Sequence, residues 1–177
     1  MVVTISGLPG SGTSTLARAL ATALALPHVD GGQIFRAMAA ERGLDVHAFG
    51  VVAEGDPAID LELDSRLAAR GHQGDVVLES RLAGWIATNE GVAATRVWVA
   101  CDPRERARRV SGREGSDVDL AAAENARREA SEADRYRGYY GIDIADTSPY
   151  DLVVDSTDAP VEALVTEVLD AVRASRA

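Results

Sequence analysis

Short apolar runs at 2–5, 27–29, 75–78, 96–100 and 150–154 punctuate the chain, and the segments between them carry apolar residues at every third or fourth position. The runs predict strands and the spaced segments predict helices over 13–24, 32–42, 45–54, 58–70, 103–112, 117–138 and 160–175. Leu16, Ala19, Leu20, Ala23 and Leu24 show the helical spacing most plainly. Strands alternating with helices in this way predict an α/β fold, a five-stranded parallel sheet with helices on both faces. At 177 residues the chain suits one domain. No internal repeat, low-complexity tract or linker divides it.

Ligands of open α/β sheets collect beyond the carboxyl ends of the strands, so the residues after each run carry the functional information. The first such segment is Gly7-Leu8-Pro9-Gly10-Ser11-Gly12-Thr13-Ser14. It fills the phosphate-loop pattern GxxxxGK[ST] at every fixed position except the lysine, which is Thr13. Glycines at 7, 10 and 12 allow successive N–H groups to converge on phosphate oxygens, and the helix that opens behind them adds its positive end. Gly7 through Thr15 are therefore expected to hold the phosphates of a nucleotide, with the Ser14 hydroxyl on Mg²⁺. Thr13 supplies no cation, so another positive group must neutralise a phosphoryl in transit, or the loop only binds.

Charge narrows the classes of partner. The sequence has 28 acidic and 18 basic residues, a net charge of −10, which argues against nucleic acid and membrane surfaces as partners. All the basic residues are arginine, and lysine is absent. Cys101 stands alone, which excludes an intrachain disulfide; it is expected to be a buried small apolar residue. With no charged leader and no apolar stretch long enough for a bilayer, a cytoplasmic location is expected. His28, His47 and His72 are scattered, and none reads as a catalytic base.

Arginines follow the other strands. After the second run comes Asp30-Gly31-Gly32-Gln33-Ile34-Phe35-Arg36, where Arg36 faces an anion across a helix start or is a surface residue behind an ordinary cap. After the third comes Glu79-Ser80-Arg81-Leu82-Ala83-Gly84-Trp85, a fork for phosphate beside a carboxylate, with Trp85 in packing. After the fourth, an arginine-rich helix leads through Arg109 to Arg113 into a segment with the form of a flap, Glu105 and Glu114 serving as ion-pair partners. Arg128, Glu132 and Arg135 stand at i, i+4 and i+7 on one helical face. That face either grips phosphate or is a solvated, salt-bridged surface.

Taken together, Ile5 to Thr13, Gly32 to Arg36, Glu54-Gly55-Asp56-Pro57 with Ile59-Asp60, Leu78 to Trp85, Arg128 to Tyr136, Tyr140 to Ile144 and Tyr150 to Thr157 resemble the cytidylate kinases, most closely their short archaeal-type branch. The resemblance implies a P-loop kinase fold with an acceptor-binding segment at about 30–71 and a lid at about 109–140. It implies transfer of the γ-phosphoryl of ATP to CMP or dCMP with Mg²⁺, by a monomer. By position it gives Arg36, Arg81, Arg128 and Arg135 to the acceptor phosphate, with Arg81, Arg128 and Arg135 catalytic, Glu132 to the cytosine side, and Arg109 and Arg113 to the lid over ATP. Gly31 and Leu82 depart from the bacterial form, which has a serine and an aspartate there. The alternatives are a kinase for UMP, AMP or another small acceptor, and a nucleotide-binding regulatory protein with weak transfer.

Overall fold

In the computed structural model, which describes residues 1–175, the first apolar run extends to Gly7 as β1 (Val2–Gly7), and all of it is buried. Strands of a parallel sheet are covered on both faces, which is why this one reads as a continuous apolar run. The chain continues through α1 (Thr13–Leu24), β2 (His28–Asp30), α2 (Gly31–Glu41), α3 (Val46–Gly55), α4 (Pro57–His72) and β3 (Val76–Glu79). It then forms α5 (Ala83–Asn89), β4 (Thr95–Ala100), α6 (Pro103–Glu114), α7 (Val118–Tyr140), β5 (Leu152–Asp155) and α8 (Val161–Ala174). All strands are parallel, in the order β2-β3-β1-β4-β5. The central β1 aligns Ile5 with Glu79 of β3, which sets the end of β3 beside the loop that leaves β1.

Alternate strand residues feed two cores. Val3, Ile5, Val77, Val97, Val99 and Val154 pack against Leu16 and Leu20 of α1 and Leu164 and Val168 of α8. On the opposite face Val2, Val76, Leu78 and Trp98 meet Leu67 of α4, Ala83 and Ile86 of α5 and Tyr136 of α7. Each such aliphatic side chain contributes about 1.5–3 kcal/mol by burial. A Cβ on Gly84 would stand 2.2 Å from the Tyr150 ring, so α5 can lie on the sheet only with glycine there.

Two smaller clusters organise what protrudes beyond the strand ends. Met38, Ala39, Phe49, Ala53 and Ile59 bind α2, α3 and α4 into one unit, and Ala107, Val110 and Ala121 bind α6 to α7. The acidic composition works locally at the helix starts. Asp30, Asp45, Asp56, Asp102 and Asp117 cap α2, α3, α4, α6 and α7 with side-chain bonds to first-turn N–H groups at 2.7–3.2 Å.

Three expectations need correction. The seven residues of α5 were not predicted, because so short a helix containing Gly84 shows no sustained period. The second, third and fifth strands end one residue later than the apolar runs, at Asp30, Glu79 and Asp155, because backbone pairing continues into the polar residues that open the site. Cys101 is only half-buried, since it lies just beyond the carboxyl end of β4.

Candidate active site

The loop between β1 and α1 is shaped for a phosphate chain. Gly10 and Gly12 have φ of 81° and 87°, the left-handed region that costs other residues strain. Gly10 also lies where a Cβ would be 2.5 Å from the Arg106 carbonyl oxygen. Unlike the five aspartate-capped helices, α1 begins at Gly12 without a side-chain cap. Among the described residues, the N–H groups of Gly10, Gly12, Thr13 and Ser14 donate to no other residue. Unclaimed donors at a helix start make an anion site.

The hydroxyls of Thr13 and Ser14 are committed to Glu79, a carboxylate that is only 5 % exposed. Its Oε1 accepts from Thr13 Oγ1 at 2.9 Å and from Ser14 Oγ at 2.5 Å, while Oε2 lies 2.9 Å from His28 Nε2. Thr13 therefore bonds inward instead of presenting a charge. A hydroxyl and a carboxylate oxygen side by side at the phosphate end of α1 are a hard, oxygen-only donor set that fits Mg²⁺. No cluster of three or more His, Cys, Asp or Glu is found among the described residues. Mg²⁺ bound through one or two carboxylates, substrate phosphates and water needs no such cage.

Cations come from distant segments. Arg81 donates from Nε to Glu132 Oε2 at 3.0 Å and from Nη1 to the Gly7 carbonyl at 3.0 Å, so it joins the loop directly to α7. Glu132 is buried, and its Oε1 accepts from Arg128 Nε at 2.8 Å. Burial opposes ionisation of this carboxyl, but Arg81 and Arg128 outweigh it and hold Glu132 below the usual carboxylate range. The face with Arg128, Glu132 and Arg135 thus points into the molecule at its centre. Arg128, 62 % exposed, reaches out toward solvent. Arg135 lies against Asp60 of α4, with Nε 3.6 Å from Oδ2.

The remaining expected residues lie around this centre. Arg36 is more than half exposed and pairs at 3.4 Å with Asp30, the residue that caps its own helix. Arg109 is fixed: its guanidinium donates to Ser156 Oγ and to the carbonyls of Ser156 and Thr157 at 2.6–3.2 Å, beside Gly12. Helix α6 runs on to Glu114, so Arg109 and Arg113 are helical, and Arg113 is exposed and paired with Glu114. Trp85 is in packing, although its Nε1 is buried without a hydrogen bond.

Two functional residues escaped the sequence reading. Glu79 was seen only as a neighbour of Arg81, because its bonds to the loop span 66 and 65 residues. Arg106 was one arginine in a run; it is 6 % exposed, donates to the Pro9 carbonyl at 3.2 Å and is clamped by Glu129 of α7. Alternation within the run, with Arg104 and Arg108 exposed and Arg106 inward, was the available signal.

A parallel sheet of this order, a glycine-rich loop opening α1 and an arginine just past β3 that ties this loop to Glu132 of α7 define a P-loop kinase. A family model described as an AAA domain matches residues 3–137. Curated cytidylate kinases are similar over nearly the whole length. That of Halobacterium salinarum is 47 % identical, covering 100 % of this chain and 92 % of its own. That of Methanopyrus kandleri is 47 % identical, covering 89 % and 85 %, and that of Methanocaldococcus jannaschii 43 %, covering 97 % of each. The chain belongs to the cytidylate kinase family. Among solved structures, shikimate kinase from Bacteroides thetaiotaomicron has the same fold, with a TM-score of 0.65 at 13 % identity, covering 98 % of each chain. A gluconokinase from Sinorhizobium meliloti, at TM-score 0.65 and 14 % identity, covers 99 % of this chain and 93 % of its own.

Proposed function

We propose that this protein transfers the γ-phosphoryl of ATP to CMP or dCMP, acting as a monomer with Mg²⁺. The observation that carries the reading is Arg81, an arginine bonded at once to the donor loop through Gly7 and to the α7 face through Glu132. Such a group reports on both substrates, which is what in-line transfer between two bound phosphates requires.

The free N–H groups of Gly10, Gly12, Thr13 and Ser14 cradle the donor phosphates. Ser14 and Glu79 would hold Mg²⁺, which neutralises charge on the donor phosphates when bound. Arg36 and Arg81 orient the acceptor phosphate, and Arg128 and Arg135 bring the positive charge that Thr13 lacks. Glu132 sets the directions of Arg81 and Arg128. Arg109, fastened to Ser156 and Thr157 beside Gly12, borders the nucleoside end of ATP. The separate small cores of α2–α4 and of α6–α7 let each unit move as a body, so that closure excludes water once both nucleotides are present.

A coupled assay of ATP and Mg²⁺ with CMP, dCMP, UMP and AMP tests this. Turnover is expected with the cytidine nucleotides, and a rate confined to AMP or absent from all four would reject it. A second reading is favoured by one observation: the Thr13 hydroxyl is spent on Glu79, as it would be in a loop that holds nucleotide without efficient transfer. That reading gives ATP binding by calorimetry with no phosphorylated acceptor.

A further inference from the structure

Buried polar atoms are almost always hydrogen-bonded, and the few that are not merit a reason. Two of them face each other where α4 meets α7. Asp60 is 5 % exposed, and its Oδ2 has no hydrogen-bond partner among the described residues. The Nε of Arg135 is likewise buried and unbonded, and at 3.6 Å from Asp60 Oδ2 it forms an ion pair without a hydrogen bond. The nearby Glu132 is the obvious acidic contact for a substrate, yet its two oxygens are already taken by Arg81 and Arg128. Asp60 Oδ2 therefore has an ion-pair partner in Arg135 but no hydrogen-bond donor among the described residues.

Its place beside α7 is informative. Arg135 follows Glu132 by three residues, a rise of about 4.5 Å along the helix. The Asp60–Arg135 pair is thus about one helical turn from the Arg81–Glu132 contact that touches Gly7. If the acceptor phosphate rests on Arg81, the nucleoside end extends over α4. Ser80 Oγ and Trp85 Nε1, also buried and unbonded, lie on the segment that carries Arg81. Burial is the main influence on Asp60 and raises it; Arg135 opposes that rise and favours the carboxylate, and Glu132 adds to it.

We propose that Asp60 is the specificity residue for the acceptor base: its carboxylate accepts a hydrogen bond from the 4-amino group of cytosine while Arg135 holds the carboxylate in place. A carboxylate only accepts, so it matches the amino donor of cytosine and repels the O4 acceptor of uracil. This rests on the pyrimidine nucleotide kinase reading above and assigns its base selectivity to one side chain.

The test compares kcat/KM for CMP, UMP and the CMP analogue with hydrogen in place of the 4-amino group, in the wild type and in Asp60→Asn. The wild type is expected to lose about 10- to 100-fold with the analogue and with UMP, the range for one good base contact. Asp60→Asn, whose amide both donates and accepts, is expected to bring CMP, UMP and analogue within a few-fold of one another while the KM for ATP stays unchanged. Equal use of CMP and analogue by the wild type overturns the proposal without any variant. So does an Asp60→Asn enzyme that still prefers CMP over the analogue, because another group then reads the amino nitrogen. A wild type that phosphorylates no pyrimidine nucleotide rejects the kinase reading itself, and the proposal with it.

Discussion

Replacing Glu132 by glutamine preserves shape and removes the charge on which two arginines converge. Arg81 is 23 % exposed and Glu132 9 %, so this half of the network is nearly dry. Leaving one partner of a buried pair uncompensated costs about 3–5 kcal/mol when burial is complete. Partial access of Arg81 to solvent lowers that to about 2–3 kcal/mol, and the exposed Arg128 adds less than about 1 kcal/mol. A total near 3 kcal/mol corresponds to a melting temperature lower by about 6–12 °C for a chain of this size. Urea unfolding measures it directly, as a lower midpoint at unchanged slope. The pH dependence supplies an internal check. Arg81 and Arg128 hold Glu132 below the usual carboxylate range, against burial, so its contribution is complete above the ordinary glutamate value and disappears as pH falls through the depressed one. The stability gap between wild type and Glu132→Gln should therefore be full at pH 7 and close in acid. A gap below about 1 kcal/mol at pH 7, or one of constant size down to pH 3, would refute the reasoning.

Other consequences are accessible to the same methods. Gly10→Ala must place a Cβ 2.5 Å from the Arg106 carbonyl at a φ of 81°, and its KM for ATP is expected to rise at least about 10-fold, since the left-handed conformation alone costs about 1–2 kcal/mol. Glu79→Gln leaves an amide oxygen for Thr13 and Ser14 but removes the buried negative charge beside them, and a titration of activity against Mg²⁺ should show a higher half-saturating concentration. Asp64, pushed up to about 6 chiefly by burial, with Asp60 and Glu90 adding and Tyr140 opposing, is strained when ionised. Because its native value is raised, it costs stability as pH rises from about 4 to above 6, so Asp64→Asn should stabilise the protein at pH 7.5 and have little effect at pH 4. Phe49→Ala empties the centre of the α2–α4 core at a cost of about 3–5 kcal/mol, and hydrogen exchange should rise there before it rises in β1.

What the sequence revealed and what it hid follow from range. The phosphate loop was legible because its constraints are local: three glycines and a hydroxyl at fixed spacing between a strand and a helix. The inward face of α7 was legible in part, since i, i+4 and i+7 place Arg128, Glu132 and Arg135 together, but the same spacing suits a solvated face. What decides is Arg81, which takes Glu132 out of solvent from 51 residues away. Glu79 was overlooked for the same reason, because strand register brings it to Ile5 and the loop hydroxyls. Arg106 and Asp60 stand among residues of their own kind, and only the packing of α6 and α4 separates the buried one from its exposed neighbours.

The central claim is that arginines assembled from β3 and α7 complete a phosphate loop without lysine. Single-turnover and steady-state rates with ATP and CMP for Arg128→Ala and Arg135→Ala test it most directly. The account expects each to lose at least about 100-fold in kcat, as for arginines that neutralise a transferring phosphoryl, with ATP still bound. Rates near that of the wild type in both variants would contradict it.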